Sequence, residues 1–102
     1  MDQVVKQKWV EALRSGQYLQ GKNALKTDDK FCCLGVLCDI LYPEQWIRDG
    51  GYSLIWGEDS GLPPELRDSL SIDRKQEDIL IQLNDEKGKD FLQIADYIEQ
   101  NL

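Results

Sequence analysis

The run Phe31-Cys32-Cys33-Leu34-Gly35-Val36-Leu37-Cys38-Asp39-Ile40-Leu41 decides the fold. It is apolar on nearly every side, which predicts a helix over 31–41 buried at the centre of the domain. Gly35 inside such a helix costs about 1 kcal/mol relative to Ala, so its presence points to a neighbouring helix or a ligand lying close against the backbone. Pro43 closes the segment. The three cysteines are an odd set, and Cys32 and Cys33 are adjacent, so they do not form a disulfide framework. Their spacing does not converge on a tetrahedral metal site, and no His is present to complete one. The expectation is three buried, reduced thiols that fill the core.

Upstream of this run, Asp2 is placed to cap a helix over 3–15, with Val5, Trp9, Ala12 and Leu13 at helical spacing and Gly16 as its stop. Residues 17–30 read as irregular, with at most a short strand near 23–27. Downstream, Tyr52–Trp56 is the best strand candidate, bounded by glycines, inside a loop-rich stretch over 44–62. Pro63 and Pro64 fit the first turn of a short helix reaching Leu70. A helix starting at Ser71 or Asp73 turns Ile79, Leu80 and Leu83 inward and ends near Gly88, and a last helix spans about 90–100 with Phe91, Ile94, Ala95 and Ile98 on one face. The expected fold is α+β but predominantly α: about five helices around a central buried helix, with at most a small sheet, in one domain over 1–102.

The chain carries 12 Lys and Arg against 19 Asp and Glu, a net charge of -7. Such a balance disfavours nucleic-acid polymers, whose binding draws on clustered cations that displace counterions. The charge is uneven, with residues 1–30 at +2 and residues 31–102 at -9, so an anionic ligand is expected to approach the N-terminal third. No apolar run reaches the length of a membrane span, and no signal-peptide pattern is present, so a cytoplasmic protein is expected. The absence of His removes the commonest general base, and no nucleophile elbow, phosphate loop or Cys-x-x-Cys pair organises a reaction centre. These features point to a binding protein without cofactor or metal rather than to an enzyme. The segment 83–98 has the pattern of the first helix and turn of a helix-turn-helix, but the residues around it are acidic, and packing of a C-terminal helical pair is the better reading.

The most informative polar stretch is Arg14-Ser15-Gly16-Gln17-Tyr18-Leu19-Gln20-Gly21-Lys22, with Lys26 beyond it. Arg14, Lys22 and Lys26 suit anionic oxygens, Tyr18 suits stacking, and Ser15 and Gln20 suit base edges, with Trp56 as a further aromatic wall. On composition alone the plainer alternative stands beside it: Arg14 is an exposed helix residue, Tyr18 packs on the core and the lysines are solvated.

The patterns Trp9-Val10-Glu11-Ala12-Leu13-Arg14-Ser15-Gly16-x-Tyr18-x-Gln20-Gly21 and Phe31–Asp39, with a closing segment like Leu83-Asn84-Asp85 then Phe91 and Ile94–Ile98, resemble a widespread family of short bacteriophage proteins. Residues 42–75 match only loosely. Within that family the chain is similar to the anti-CBASS sponge proteins, small oligomers that sequester a host cyclic nucleotide signal. The resemblance implies a homo-oligomer, dimer or tetramer, in the host cytoplasm, holding a cyclic dinucleotide or similar signal intact on Arg14, Ser15, Tyr18, Gln20, Lys22, Lys26 and Trp56. The alternative function is a phage host-takeover protein that binds a bacterial protein through an exposed aromatic face of Trp46, Tyr52 and Trp56.

Overall fold

In the computed structural model, which describes residues 1–102, the chain runs α1 (Gln3–Arg14), β1 (Leu19–Gln20), β2 (Lys26–Thr27), β3 (Lys30–Phe31), α2 (Cys33–Leu41), β4 (Trp46–Asp49), β5 (Tyr52–Ile55), α3 (Pro64–Ser69), α4 (Arg74–Asp85) and α5 (Phe91–Asn101). The helix starts are set by local chemistry. The Asp2 carboxylate accepts from the free amides of Val4 and Val5, at 2.8 and 3.0 Å. Asp73 and Asp90 each build a reciprocal capping box, with Gln76 and Gln93 respectively, at the starts of α4 and α5.

The central helix is as the sequence predicts, except that Phe31 belongs to β3 and the helix begins at Cys33. Every residue from Cys33 to Cys38 is buried. The α1 face of Trp9, Val10 and Leu13 packs on it, and the Trp9 indole N–H donates to the Cys33 carbonyl at 2.9 Å. Gly35 explains itself: a Cβ built there would stand 1.8 Å from the Leu25 carbonyl oxygen. The same carbonyl accepts from the Cys32 amide at 3.2 Å, so the 24–25 segment crosses the start of α2 with backbone against backbone. The neighbour that needs the glycine is thus an irregular loop of the chain itself, and neither a helix nor a ligand.

The sheet departs from expectation. In place of at most a small sheet in a predominantly α fold, five strands form one mixed sheet in the order β1-β3-β2-β5-β4, with β1 and β3 parallel and every other pair antiparallel. The fold is α+β, with five helices and a five-stranded sheet. Two residues each make β1, β2 and β3, too few for alternation to register in the sequence; β2, at the end of the short strand expected near 23–27, pairs locally with β3, and β1 and β5 join them from a distance. Strand β4 falls in the stretch that reads as loop from sequence, and it pairs with β5 over Trp46–Ile55, Ile47–Leu54, Arg48–Ser53 and Asp49–Tyr52. The expected strand over 52–56 ends one residue early, at Ile55, because Trp56 begins a turn.

One face of the sheet is covered by the core: Ser53 and Ile55 are buried, and Phe31 and Trp46, which share their side by register, are half-buried. The loop before α3 is pinned to α4 by the buried Glu77 carboxylate, which accepts from the Leu62 amide at 2.7 Å and from Arg67 at 3.1 Å. All three cysteines are free and buried. Loss of solvation pushes the Cys32 thiol up to about 11 and holds Cys33 and Cys38 above the ordinary thiol value as well.

Candidate functional site

Three of the seven residues named from sequence share one cleft. Arg14 at the end of α1, Tyr18 ahead of β1 and Gln20 within β1 line a depression of about 350 Å³, together with Leu13, Gly16, Asp90, Phe91 and Leu92. The α1 C-terminus turns there through Gly16 at φ +76, which returns the chain beside the start of α5. Another depression, of about 410 Å³, lies between α1 and α5 and shares Arg14.

The polar groups in this cleft are already engaged. The Arg14 guanidinium forks onto Asp96 at 2.7 Å and Glu99 at 3.2 Å, across from α5. The hydrogen bonds it donates, first to Glu99 and then to Asp96, hold its proton more firmly than usual. Tyr18 donates to Asp39 at 2.7 Å and lies edge-on to Phe31 with ring centres 5.0 Å apart. Desolvation, and then that bond to Asp39, raise its phenol above the ordinary range. The Gln20 amide donates to Asn84 and to the Lys89 carbonyl, both at 2.9 Å. Arg14 is the one cation lining the cleft, opposite the single carboxylate of Asp90, and its charge is already met by Asp96 and Glu99, so the cleft offers no free cation to an incoming phosphate.

The other four residues lie elsewhere. The Ser15 hydroxyl bonds the Ala12 carbonyl at 2.6 Å and accepts from the Gln17 amide, which makes it part of the helix end. Lys22 is exposed. The Lys26 ammonium rests over the rings of Phe31 and Trp46, at 5.3 and 5.4 Å from their centres. Trp56 belongs to the far end of the β4–β5 hairpin, where it lies against Tyr42 with ring centres 4.8 Å apart and is 40% exposed.

The geometry around Trp56 is unusual. Ile55 and Glu58 exchange both backbone hydrogen bonds, at 2.9 and 3.0 Å, and close a tight turn over Trp56 and Gly57. Both central residues have positive φ, +50 and +82, as in a type I′ turn. Gly57 adopts that region freely. A bulky ring at +50 is strained, since the position favours Asn, Asp or Gly.

Two residues that sequence reasoning passed over organise the rest. Asn84, almost fully buried, accepts from Gln20 and from the Cys33 amide, and donates to the Gly21 carbonyl and to Asp85. It thereby ties β1, the start of α2 and the end of α4 together. Its signal in the sequence is a polar residue four positions after Leu80, on the helix's inward stripe. Asp39 accepts from both Tyr18 and the Trp46 indole, the latter at 3.0 Å, and its signal is a lone charge in an otherwise apolar helix. The three aromatics expected to share one binding face are also divided: by register Trp46 and Tyr52 fall on opposite faces of the sheet, and Trp56 stands at its end.

Residues 1–65 match the profile of a family described as a domain of unknown function, DUF8296. The chain belongs to that family. The DUF8296 match takes in α1, the whole sheet and α2, and ends inside α3, so all seven residues named from sequence and the Tyr42–Trp56 pair lie within it. Asn84 and the carboxylates that hold Arg14 come from α4 and α5, beyond the matched residues. No curated protein and no solved structure matches the chain. No helix is long and apolar enough to cross a membrane.

Proposed function

We propose that this DUF8296 protein acts by stoichiometric binding, and that it grips a protein partner with the Tyr42–Trp56 pair at the end of the β4–β5 hairpin. The observation that carries this reading is Trp56 itself: a large ring kept substantially exposed on a turn whose backbone disfavours it. Strain of this kind, under a ring that stays 40% exposed even with Tyr42 against it, belongs to sites that use the side chain for something else. Trp and Tyr are the residues that most often anchor protein interfaces, because each removes a large apolar area from water and still offers a hydrogen bond. The resemblance to phage proteins makes the partner a bacterial host protein.

A different reading has its own support. The convergence of Arg14, Tyr18 and Gln20 on one cleft favours sequestration of a cyclic nucleotide signal, as in the sponge proteins the chain resembles. That ligand would have to displace Asp96 and Glu99 from Arg14, which is the physical argument for ranking this reading below partner capture.

One pair of measurements separates them. Host proteins retained by the immobilised protein should be lost with Trp56→Ala and kept with Arg14→Ala. A thermal-shift panel of cyclic dinucleotides and NAD-derived signals should leave the wild type unmoved. A ligand-induced shift that Arg14→Ala and Tyr18→Phe abolish and Trp56→Ala preserves would reverse the order of the two readings.

A further inference from the structure

The sheet face opposite the core is open. Register places Leu19, Lys30, Thr27, Tyr52 and Asp49 in one row across the five strands, with Ile47 and Leu54 beside it on the same face. Leu19, Ile47 and Tyr52 are 55%, 67% and 40% exposed, which makes this a concentration of bare apolar side chains on a small acidic chain.

The charges on that row are arranged in a self-complementary way. Lys30 is the only cation in it and Asp49 the only anion, so the row is neutral in a molecule of net charge -7. In strand order Lys30 stands on β3 and Asp49 on β4, three strands apart with β2 and β5 between. A two-fold axis along the strands between β2 and β5 therefore sets Lys30 of one copy opposite Asp49 of the other, and Thr27 opposite Tyr52. It also brings Ile47 and Leu54 of each copy into the shared layer. The chain carries -9 over residues 31–102, whereas this face offers matched charge and unburied apolar area to a second copy.

We propose that this protein forms a two-fold dimer through the open sheet face, with Lys30 of each copy paired to Asp49 of the other. The contact does not use the Tyr42–Trp56 pair, in which Tyr42 is the residue that caps α2 and Trp56 lies in the turn beyond β5. Five strands spaced about 4.8 Å apart make a face only about 19 Å wide, so the dimer is weak and concentration-dependent.

Sedimentation velocity from about 10 µM to about 1 mM tests it, a range that brackets what a contact this small supports. Wild type should pass from monomer to dimer across the series. Ile47→Glu, at an exposed position that leaves the core alone, should weaken association at least tenfold. Lys30→Glu and Asp49→Lys should each weaken it about tenfold, and the double variant Lys30→Glu/Asp49→Lys should return to within about threefold of wild type. A protein that stays monomeric throughout, a dimer indifferent to Ile47→Glu, or a double variant as weak as the single ones each overturns the proposal. None of these outcomes touches partner capture by Trp56, which is read separately on the same variants.

Discussion

Around Arg14 the side chains of Arg14, Ser15, Tyr18 and Gln20 have each found a partner inside the molecule, whereas around Trp56 a large apolar ring is held out of the core on strained backbone. The Arg14 region is the chemically rich one in sequence, and the hairpin end carries no comparable cluster of polar side chains. The difference teaches that reactive residue types mark a site only when the fold leaves them unsatisfied. Arg14, Tyr18 and Gln20 spend their hydrogen bonds on α5, Asp39 and Asn84, and each bond fixes a helix end or a loop. The Trp56 indole makes no hydrogen bond within the molecule, and its backbone holds a φ that a type I′ turn asks of Asn, Asp or Gly.

The comparison is broken most severely by removing the contact on which the saturated side is built. Gly35→Ala drives a methyl into the Leu25 carbonyl, with backbone on both sides and no flexible side chain to yield. A loss of about 3 kcal/mol or more is expected, and with it a fall in melting temperature of more than about 10 °C. A variant that melts with the wild type would mean the 24–25 loop is not packed against α2.

Alkaline pH acts on the same core. The buried thiols keep their protons to a higher pH than thiols in the unfolded chain, which ionise near pH ~8.5. Above that value the folded state binds more protons than the unfolded one, so stability is complete below it and falls as pH rises toward the value of about 11 reached by Cys32. Each thiol contributes a slope of up to about 1.4 kcal/mol per pH unit, and the melting temperature should drop steeply between about pH 8.5 and 10. A flat profile, or rapid labelling of all three thiols on the native protein, contradicts a sealed core.

Asn84→Ala strips the node joining β1, α2 and α4, and leaves the Cys33 amide and the Gly21 carbonyl without their partner. The expected cost is about 2–3 kcal/mol by chemical denaturation. If it proves neutral, the polar groups near Gln20 are free enough to serve a ligand, and the contrast with the hairpin weakens.

The smallest effect has the opposite sign. Trp56→Asn places the residue that a type I′ turn favours at φ +50 and should leave stability unchanged or raise it by up to about 1 kcal/mol, while removing partner capture. A loss of stability comparable to that from Asn84→Ala would show that the ring is there for the fold.

How much of this was legible follows from the range of the forces involved. Five helices and their order could be read, because caps such as Asp2, Asp73 and Asp90 and stripes such as Phe91–Ile94–Ile98 act within one or two turns of chain. The burial of the cysteines and the need for a close contact at Gly35 also stood in the sequence, since an all-apolar helix with a glycine in it has few other uses. The sheet did not. Strands of two residues have no periodicity: Lys26–Thr27 and Lys30–Phe31 pair with each other across Asp28 and Asp29, and residues 52–53 and 19–20 arrive on either side to extend them into a sheet. Nor did the partners of Arg14, Tyr18 and Gln20, which are 85, 21 and 64 residues away at their farthest or only side-chain contacts. The sequence by itself determined the helices, the buried centre and the acidic balance, all local or compositional properties. Only the tertiary structure decided which polar groups are consumed and which aromatic is left over, because satisfaction of a hydrogen bond or a ring face depends on neighbours that chain distance does not predict.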